Sequence, residues 1–158
     1  MNILVVDDER LPLEYLIRVI KQVLTDVNVT GFRKPSEALE YAKSNHVDLA
    51  FLDIELGGMN GLQLAKKLKD IYGRVDIIFT TGNSQYTANE YVKDAGGYLL
   101  KTVTAEAVIE AMDYLQNPTG PAPKKRIRIQ TFGDFEVYVY CRQFAGFIKL
   151  IATFNRRI

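Results

Sequence analysis

Polar side chains that could do chemistry follow four short apolar runs of this sequence. The first run ends at Asp7-Asp8, and three later runs end at Asp53, at Thr80-Thr81 and at Lys101. Runs this short fit strands that are buried on both faces of a parallel sheet. Because parallel strands end at the same edge of a sheet, three carboxylates, a hydroxyl and an ammonium group can converge there.

The carboxylates of this group indicate a metal site. Clustered carboxylates raise one another's pKa unless a cation joins them. Mg²⁺ takes oxygen ligands and is commonly held by one or two carboxylates with phosphate and water. Each residue alone has an ordinary explanation: Asp53 could simply break a strand, Asp8 could cap a helix, and Lys101 could be a surface lysine. Their coincidence at the predicted strand ends favours the functional interpretation.

Strand and helix patterns alternate along the first 116 residues. The predicted strands are Ile3–Val6, Val27–Phe32, Leu49–Leu52, Val75–Thr80 and Gly97–Leu100. The predicted helices begin near Pro12, Ser36, Asn60, Tyr86 and Thr104. Five successive βα units predict an α/β fold with a mostly parallel sheet, right-handed crossovers and helices on both faces.

The helix that follows Asp53 has a regular apolar pattern. Asn60 can cap this helix through its side chain. Apolar residues then recur at every third position, at Leu62, Ala65, Leu68 and Ile71. This spacing predicts a single apolar stripe packed on the sheet.

Composition limits what else the chain can be. Its 158 residues can hold one domain and a fragment of a second. The lone Cys141 excludes an internal disulfide and fits the cytosol, and the lone His46 excludes a multi-histidine metal site. No apolar run approaches the roughly 18 residues of a membrane span, and no signal peptide is evident, so we expect a cytoplasmic protein without a membrane partner.

Charge is divided unevenly between two parts of the chain. Residues 1–116 carry 12 Lys/Arg and 17 Asp/Glu, a balance of −5, whereas residues 117–158 carry 8 and 2, a balance of +6. Prolines and a glycine concentrate in residues 117–123, which predicts a linker because they continue neither helix nor strand. The predicted organisation is therefore a domain over 1–116, a linker over 117–123 and a second unit over 124–158.

The first unit resembles the receiver domain of bacterial two-component response regulators. The motifs that carry the resemblance are Asp7-Asp8, residues 53–61, residues 77–82 and residues 98–101. The resemblance implies a flavodoxin-like (CheY-like) fold with five parallel strands in the order 2-1-3-4-5. It also implies that Asp53 accepts a phosphoryl group from the phosphohistidine of a sensor histidine kinase.

The same resemblance implies a role for each residue around Asp53. The implied Mg²⁺ ligands are Asp8, Asp53, the backbone carbonyl of Glu55 and, through water, Asp7. Lys101 would bind the phosphoryl oxygens, and Thr81 would bond to the acyl phosphate. Tyr98 would turn inward as Thr81 moves, so these two residues would form the switch.

Two positions depart from the family pattern. Thr102 stands where proline usually follows the lysine in a cis peptide, and a non-proline cis bond costs roughly 2.5–4 kcal/mol. We therefore expect a trans bond between Lys101 and Thr102. Gly57 replaces a common proline in the loop after Asp53, which predicts a more mobile loop.

The sequence of the basic unit over 124–158 predicts a β-rich structure. Residues 124–140 alternate apolar and polar side chains on either side of Gly133-Asp134, which predicts a strand pair with a turn. The pair resembles the opening strands of the winged-helix output domain in SARP-like, DNA-binding regulators. Residues 141–158 do not follow a helix-turn-helix pattern, so DNA is an expected partner only if such a domain is complete. The open strand edges predict a homodimer. For the basic charge of this unit, the alternative to nucleic-acid contact is a solvated tail.

These features together predict a response regulator that switches on phosphorylation and controls transcription. Its expected chemistry is limited to phosphotransfer and autodephosphorylation, without a separate enzymatic activity. The alternative is a stand-alone phosphoryl-relay or protein-docking module without DNA binding. An FMN carrier on the same fold is disfavoured, because Asp7-Asp8 would repel a cofactor phosphate after the first strand.

Overall fold

The computed structural model describes residues 1–82 and 97–116 in full, together with the backbone of three later strands. The chain forms two compact units, Met1–Pro118 and Thr119–Ile158. The predicted boundaries at 116, 123 and 124 fall in or beside residues that lie outside the described part, so they stay predictions. Within the described part, no helix is both long enough and apolar enough to cross a membrane.

Five parallel strands form the sheet of the first unit. The strands are β1 (Asn2–Val6), β2 (Asn28–Phe32), β3 (Leu49–Asp53), β4 (Asp76–Thr81) and β5 (Gly97–Leu100). Their order is β2-β1-β3-β4-β5, with every neighbouring pair parallel. The predicted α/β fold and its strand order are therefore confirmed.

Within the described residues, four helices cover the two faces of this sheet. They are α1 (Arg10–Val23), α2 (Pro35–Ser44), α3 (Gly61–Tyr72) and α4 (Ala105–Gln116). The Asn60 side chain accepts a hydrogen bond from the Leu62 N–H at 2.8 Å, and Thr104 Oγ1 accepts one from the Ala107 N–H at 3.3 Å. Both predicted caps are therefore present. The helix predicted over Tyr86–Asp94 lies outside the described residues.

Two apolar layers sandwich the sheet because side chains alternate along each strand. Leu4 and Val6 of β1 face the layer that contains α2 and α3. Ile3 and Val5 face the opposite layer, which contains α1 and α4. Strand β3 is buried along its whole length, so this central strand holds Asp53 at a rigid position.

The apolar stripe predicted for α3 is only partly correct. Leu64, Ala65 and Leu68 are buried, whereas Ile71 is 39% exposed. An α-helix turns about 100° per residue, so steps of three residues fall about 60° short of a full turn. Leu62 and Ile71, nine residues apart, therefore lie on opposite sides of the helix and cannot belong to one stripe. The buried face is formed instead by Leu64, Ala65 and Leu68, and Ile71 is the second-to-last residue of the helix.

Three antiparallel strands make up the described part of the second unit. They are β6 (Ile127–Phe132), β7 (Asp134–Arg142) and β8 (Phe147–Thr153), in the order β6-β7-β8. The register pairs Phe132 with Asp134, so the strand pair predicted around Gly133-Asp134 is present. Strand β8 goes beyond the prediction, because the sequence of residues 141–158 indicates only the lack of a helix-turn-helix pattern.

Candidate functional site

The carboxyl ends of β1, β3 and β4 lie side by side at one edge of the sheet. Asp53 is in register with Thr80, and Val6, which precedes Asp7, is in register with Leu52. Asp7 and Asp53 are 1% and 3% exposed, so both carboxylates are withdrawn from bulk water. The expected convergence of strand ends is thus observed for two of the carboxylates that the sequence indicated.

Lys101 joins these two carboxylates. Its Nζ lies 2.8 Å from Asp7 Oδ2 and 2.9 Å from Asp53 Oδ2. The more exposed Glu9 is farther away, with Oε1 3.9 Å from Nζ. Lys101 follows β5, and its backbone N–H donates to the Thr81 carbonyl at 2.9 Å, which fixes where the side chain starts. One ammonium group therefore sits between two buried carboxylates.

Backbone N–H groups hold the carboxylates from the other side. The Glu9 N–H donates to Asp7 Oδ1 at 3.0 Å, and the Glu55 N–H donates to Asp53 Oδ1 at 3.2 Å. In both cases an aspartate at a strand end accepts from the residue two positions later, which is the local turn that aspartate favours. Asp8, which is half-buried, accepts from the Gly57 N–H at 3.1 Å through Oδ2. Each side chain is oriented before any ligand arrives.

Burial and charge act in opposite directions on these groups. Burial raises the pKa of Asp7 above its ordinary value, although Lys101 and the Glu9 N–H partly oppose this rise. Burial lowers the pKa of Lys101, but contacts with Asp7 and Asp53 outweigh that effect and raise it. Lys101 therefore stays charged at neutral pH, whereas the charge on Asp7 is held against a desolvation cost.

The acidic cluster fits a divalent cation. Asp7, Asp8 and Asp53 can each offer one oxygen such that these oxygens lie within 4.8 Å of one another. Within the described residues, Asp7 Oδ2 is buried and has no aligned hydrogen bond, although Lys101 Nζ is in ion-pair contact with it. Buried carboxylate oxygens that still need positive charge are the ligands that Mg²⁺ takes. The donor set is thus suited to a receiver-domain Mg²⁺ site.

We predict that Asp7→Asn raises the melting temperature by a few degrees at neutral pH in the presence of chelator. Because the folded pKa of Asp7 is raised, its contribution to stability is complete below the unfolded pKa and is lost as pH rises through the folded pKa. Replacing this carboxylate with an amide therefore removes the free-energy cost of burying a charge at neutral pH. In acid the carboxyl group is already protonated, so the replacement has little effect there. Calorimetry at several pH values measures this, with exposed Asp70→Asn as the control. A melting temperature lowered by Asp7→Asn at neutral pH would contradict the prediction.

The other predicted site residues lie around this cluster. Thr81 ends β4 and is fully buried. Tyr98, on β5, is half-buried and packs against the core layer that contains α2 and α3. Glu55 is exposed, and its backbone N–H contacts Asp53. The structure places Thr81 and Tyr98 on neighbouring strands, with Thr81 in register with Leu100.

The peptide bond between Lys101 and Thr102 is cis. The expectation of a trans bond is therefore wrong. It was based only on the preference of an isolated non-proline peptide, whereas the conformation of this segment is set within a folded site. Lys101 reaches both carboxylates in this structure, so the absence of proline does not displace its side chain.

Sequence reasoning gave no role in the site to three residues that shape it, and it related Gly57 only to the mobility of its loop. A Cβ at Gly61 would lie 2.1 Å from the Asp53 carbonyl oxygen, so only glycine lets α3 begin beside the strand end. The Arg33 guanidinium donates to the Asp8 carbonyl oxygen at 3.0 and 3.1 Å. Gly57 acts through its N–H, as described above. The position of Gly61, directly after the predicted Asn60 cap, could have indicated its role. No local sequence pattern indicates the role of Arg33.

Curated relatives match most of the length of this chain. A positive alginate biosynthesis regulatory protein of Pseudomonas aeruginosa is 34% identical over 125 residues, which cover 75% of this chain and 48% of the relative. The sensory transduction protein LytT of Bacillus subtilis is 30% identical over 112 residues, which cover 71% of this chain and 46% of that protein. The chain thus spans about half the length of these curated relatives.

Solved structures and a family profile agree with these matches. The response regulator protein TrrA of Thermotoga maritima, solved in complex with Mg²⁺-BeF, is 29% identical, with a TM-score of 0.64. The match covers 72% of this chain and 97% of TrrA. The profile described as the response regulator receiver domain matches residues 3–113. Together with the fold and the strand-end cluster, this match means that the chain belongs to the response regulator receiver domain family.

Proposed function

We propose that this chain is a phosphorylation-driven switch of a cytoplasmic two-component system. Receiver domains act as phosphoacceptors in signalling, and two curated relatives are named a regulatory protein and a sensory transduction protein. In this chain Asp53 would accept a phosphoryl group from a sensor histidine kinase. The observation that carries the proposal is the buried Asp53 carboxylate, which lies beside Lys101 and within the acidic cluster.

The proposed reaction is a transfer between two nucleophiles. An Asp53 oxygen forms a bond to phosphorus while the bond from phosphorus to the histidine nitrogen breaks, and the nitrogen keeps the electron pair. The transition state is loose, so the protein contributes mainly alignment and neutralisation of the phosphoryl oxygens. Lys101 Nζ, 2.9 Å from Asp53 Oδ2, supplies positive charge next to the attacking group. Water would later release phosphate from the acyl phosphate, which is the proposed autodephosphorylation.

Mg²⁺ would supply the second positive charge at this site. Asp8, Asp53 and the backbone carbonyl of Glu55 would hold it, with Asp7 acting through water. Oxygen ligands and a phosphoryl group together suit this cation. The ion pair between Lys101 and Asp7 would hold the Asp7 carboxylate in place within the acidic cluster.

Intact-mass spectrometry tests the proposed function without knowledge of the kinase. The full chain is incubated with a small acyl-phosphate donor, with Mg²⁺ in one sample and excess chelator in the other. The proposal expects a mass increase of one phosphoryl group that depends on the cation. Equal uptake in both samples, or no uptake in either, would overturn it.

Thr81 and Tyr98 are the proposed switch. We predict that Thr81→Ala still takes up phosphate but loses most of the conformational response, because the Thr81 hydroxyl would contact the acyl phosphate in only one of two states. NMR shifts of Tyr98, recorded before and after phosphorylation, measure the response. Thr80→Ala is the matched control, since the Thr80 hydroxyl has no hydrogen-bond partner among the described residues. A normal Tyr98 response in Thr81→Ala would contradict the assignment.

Transcription control is the proposed output. One relative is named a transcriptional regulatory protein, NatR of Bacillus subtilis, and it is 29% identical over 133 residues. The β-rich unit over 124–158, proposed as part of a SARP-like winged-helix output domain, would carry that output. A stand-alone relay or docking module is the second candidate, because the described part of this unit holds three strands and no helix that could read a DNA groove.

We predict that this chain forms a homodimer through strand pairing in its second unit and binds DNA weakly without sequence preference. Among the described strands of that unit, the outer edges of β6 and β8 pair with no further strand, and such edges invite pairing. The excess of Lys/Arg in residues 117–158 would attract phosphate groups in a salt-sensitive manner. Light scattering at micromolar concentration measures the dimer, and a monomer contradicts it. A gel shift that strongly prefers one sequence at physiological salt would instead reveal a working output domain.

A further inference from the structure

Asp8 is fixed at both its backbone and its side chain. The Arg33 guanidinium donates two hydrogen bonds to the Asp8 carbonyl oxygen, at 3.0 and 3.1 Å. The Gly57 N–H donates to Asp8 Oδ2 at 3.1 Å, from a loop that lies 49 residues later in the chain. Within the described residues, this is the hydrogen bond that orients the carboxylate. The orientation of Asp8 therefore depends on Gly57.

This hydrogen bond does not compete with a metal ion for the whole carboxylate. A carboxylate has two oxygens and about four lone-pair positions, and the Gly57 N–H occupies one of them. Hydrogen bonds from outside a metal site orient its ligands, and their loss typically weakens metal binding about 10- to 100-fold. Asp8 is half-buried and does not contact Lys101, so it lacks the ammonium contact that holds Asp7 and Asp53.

Glycine is not needed at position 57 for backbone conformation. Its φ lies outside the left-handed region, unlike that of Gly58, which has a φ of +84°. A Cβ at position 57 would lie 3.3 Å from Asp8 Oδ2, which is tight but tolerable with a small shift. Alanine would therefore keep the donor, whereas proline would remove it, because proline has no backbone N–H.

We propose that Gly57 is a positioning residue for Mg²⁺, and that its N–H aims the Asp8 carboxylate into the acidic cluster. This inference rests on the proposed function, since it takes Asp8 to be a metal ligand. It assigns to the loop after β3 a contribution to metal affinity that comes from the backbone and not from a side chain. Residue choice at position 57 then sets how strongly the site holds the cation before phosphorylation.

Metal titrations of the full chain test this proposal without any activity measurement. Mg²⁺ is added to wild type, Gly57→Pro and Gly57→Ala, and dissociation constants are obtained from NMR amide shifts at the strand ends. We expect Gly57→Pro to bind Mg²⁺ about 10- to 100-fold more weakly than wild type, with a much smaller loss for Gly57→Ala. Wild-type affinity in Gly57→Pro would overturn the proposal. An equal loss in both variants would also overturn it, because crowding by Cβ would then explain the effect.

Amide hydrogen exchange supplies a second measurement that does not depend on the proline variant being folded. In wild type with chelator, the Gly57 amide should exchange slowly, and Asp8→Ala should accelerate that exchange. Fast exchange in wild type, or no change in Asp8→Ala, would contradict the hydrogen bond on which the proposal depends. If wild type binds no Mg²⁺ at all, the proposed function fails, whereas unchanged binding in Gly57→Pro defeats only this inference.

Discussion

The Asp53→Asn variant is expected to take up no phosphoryl group from a small acyl-phosphate donor, whereas wild type takes up one when Mg²⁺ is present. Asparagine has nearly the volume of aspartate, so the buried position at the end of β3 stays filled. Its amide is not a nucleophile for phosphorus, and Lys101 would lose one of its two close carboxylates. The expected effect is therefore complete loss of uptake and not a slower rate.

Intact-mass spectrometry measures this directly, and Asp70→Asn is the control. Asp70 lies on the exposed side of α3, away from the strand ends, so its replacement should leave uptake unchanged. Thermal melting of Asp53→Asn checks that the loss does not come from unfolding. Uptake by a folded Asp53→Asn variant equal to that of wild type would mean that another residue is the acceptor.

The Lys101→Met variant is expected to slow phosphoryl uptake by about 10²- to 10³-fold, the usual cost of removing one preorganised charged or hydrogen-bonding group from a transition state. Lys101 Nζ contacts both Asp7 and Asp53, and its pKa is raised, so it is a permanent positive charge at neutral pH. Methionine has a similar length but supplies no charge to the phosphoryl oxygens. The rate of mass increase at fixed donor and Mg²⁺ concentrations gives the effect.

Two further variants separate charge from general damage at Lys101. Lys101→Arg keeps the positive charge, although its planar group has a different geometry, so it should retain more activity than Lys101→Met. Lys66→Met, on the exposed side of α3, makes the same change away from the site and should behave as wild type. A Lys101→Met rate within a few-fold of wild type would show that Lys101 is a structural ion-pair partner only.

Much of the fold could be predicted because its signals are local. Four-residue apolar runs such as Ile3–Val6 are too short for helices, and buried parallel strands favour such runs. Polar residues directly after them had to meet once the strands were parallel, and Asp7, Asp53 and Lys101 do meet. Helix starts were predictable for the same reason, since the Asn60 and Thr104 caps use contacts within three residues.

Features that depend on distant contacts could not be predicted. The pattern of every third residue also placed Leu62 and Ile71 on one stripe, although nine residues of helical rotation separate them by about 180°. The hydrogen bond between Gly57 and Asp8 joins loops 49 residues apart, and no spacing rule reports it. The cis bond after Lys101 likewise belongs to the folded site and not to the dipeptide.

Electrostatics connect the resting site to its proposed chemistry. Three carboxylates face one ammonium group, so the resting cluster carries excess negative charge and burial makes that charge costly at Asp7. A divalent cation would offset this cost, and the phosphoryl group would then enter a site whose positive charges are already in place. The same imbalance explains why uptake should depend on the cation, since phosphoryl oxygens would otherwise approach a net negative cluster.

Direct identification of the modified residue tests the central claim most sharply. Wild type is phosphorylated with a small acyl-phosphate donor and Mg²⁺, then reduced with borohydride, which converts an aspartyl phosphate to homoserine. Peptide mass spectrometry locates that change in the chain. The proposed function predicts homoserine at position 53 and at no other aspartate, and only in the sample that contained Mg²⁺. Homoserine at Asp7 or Asp8, or a phosphoryl group that survives at His46, would contradict it.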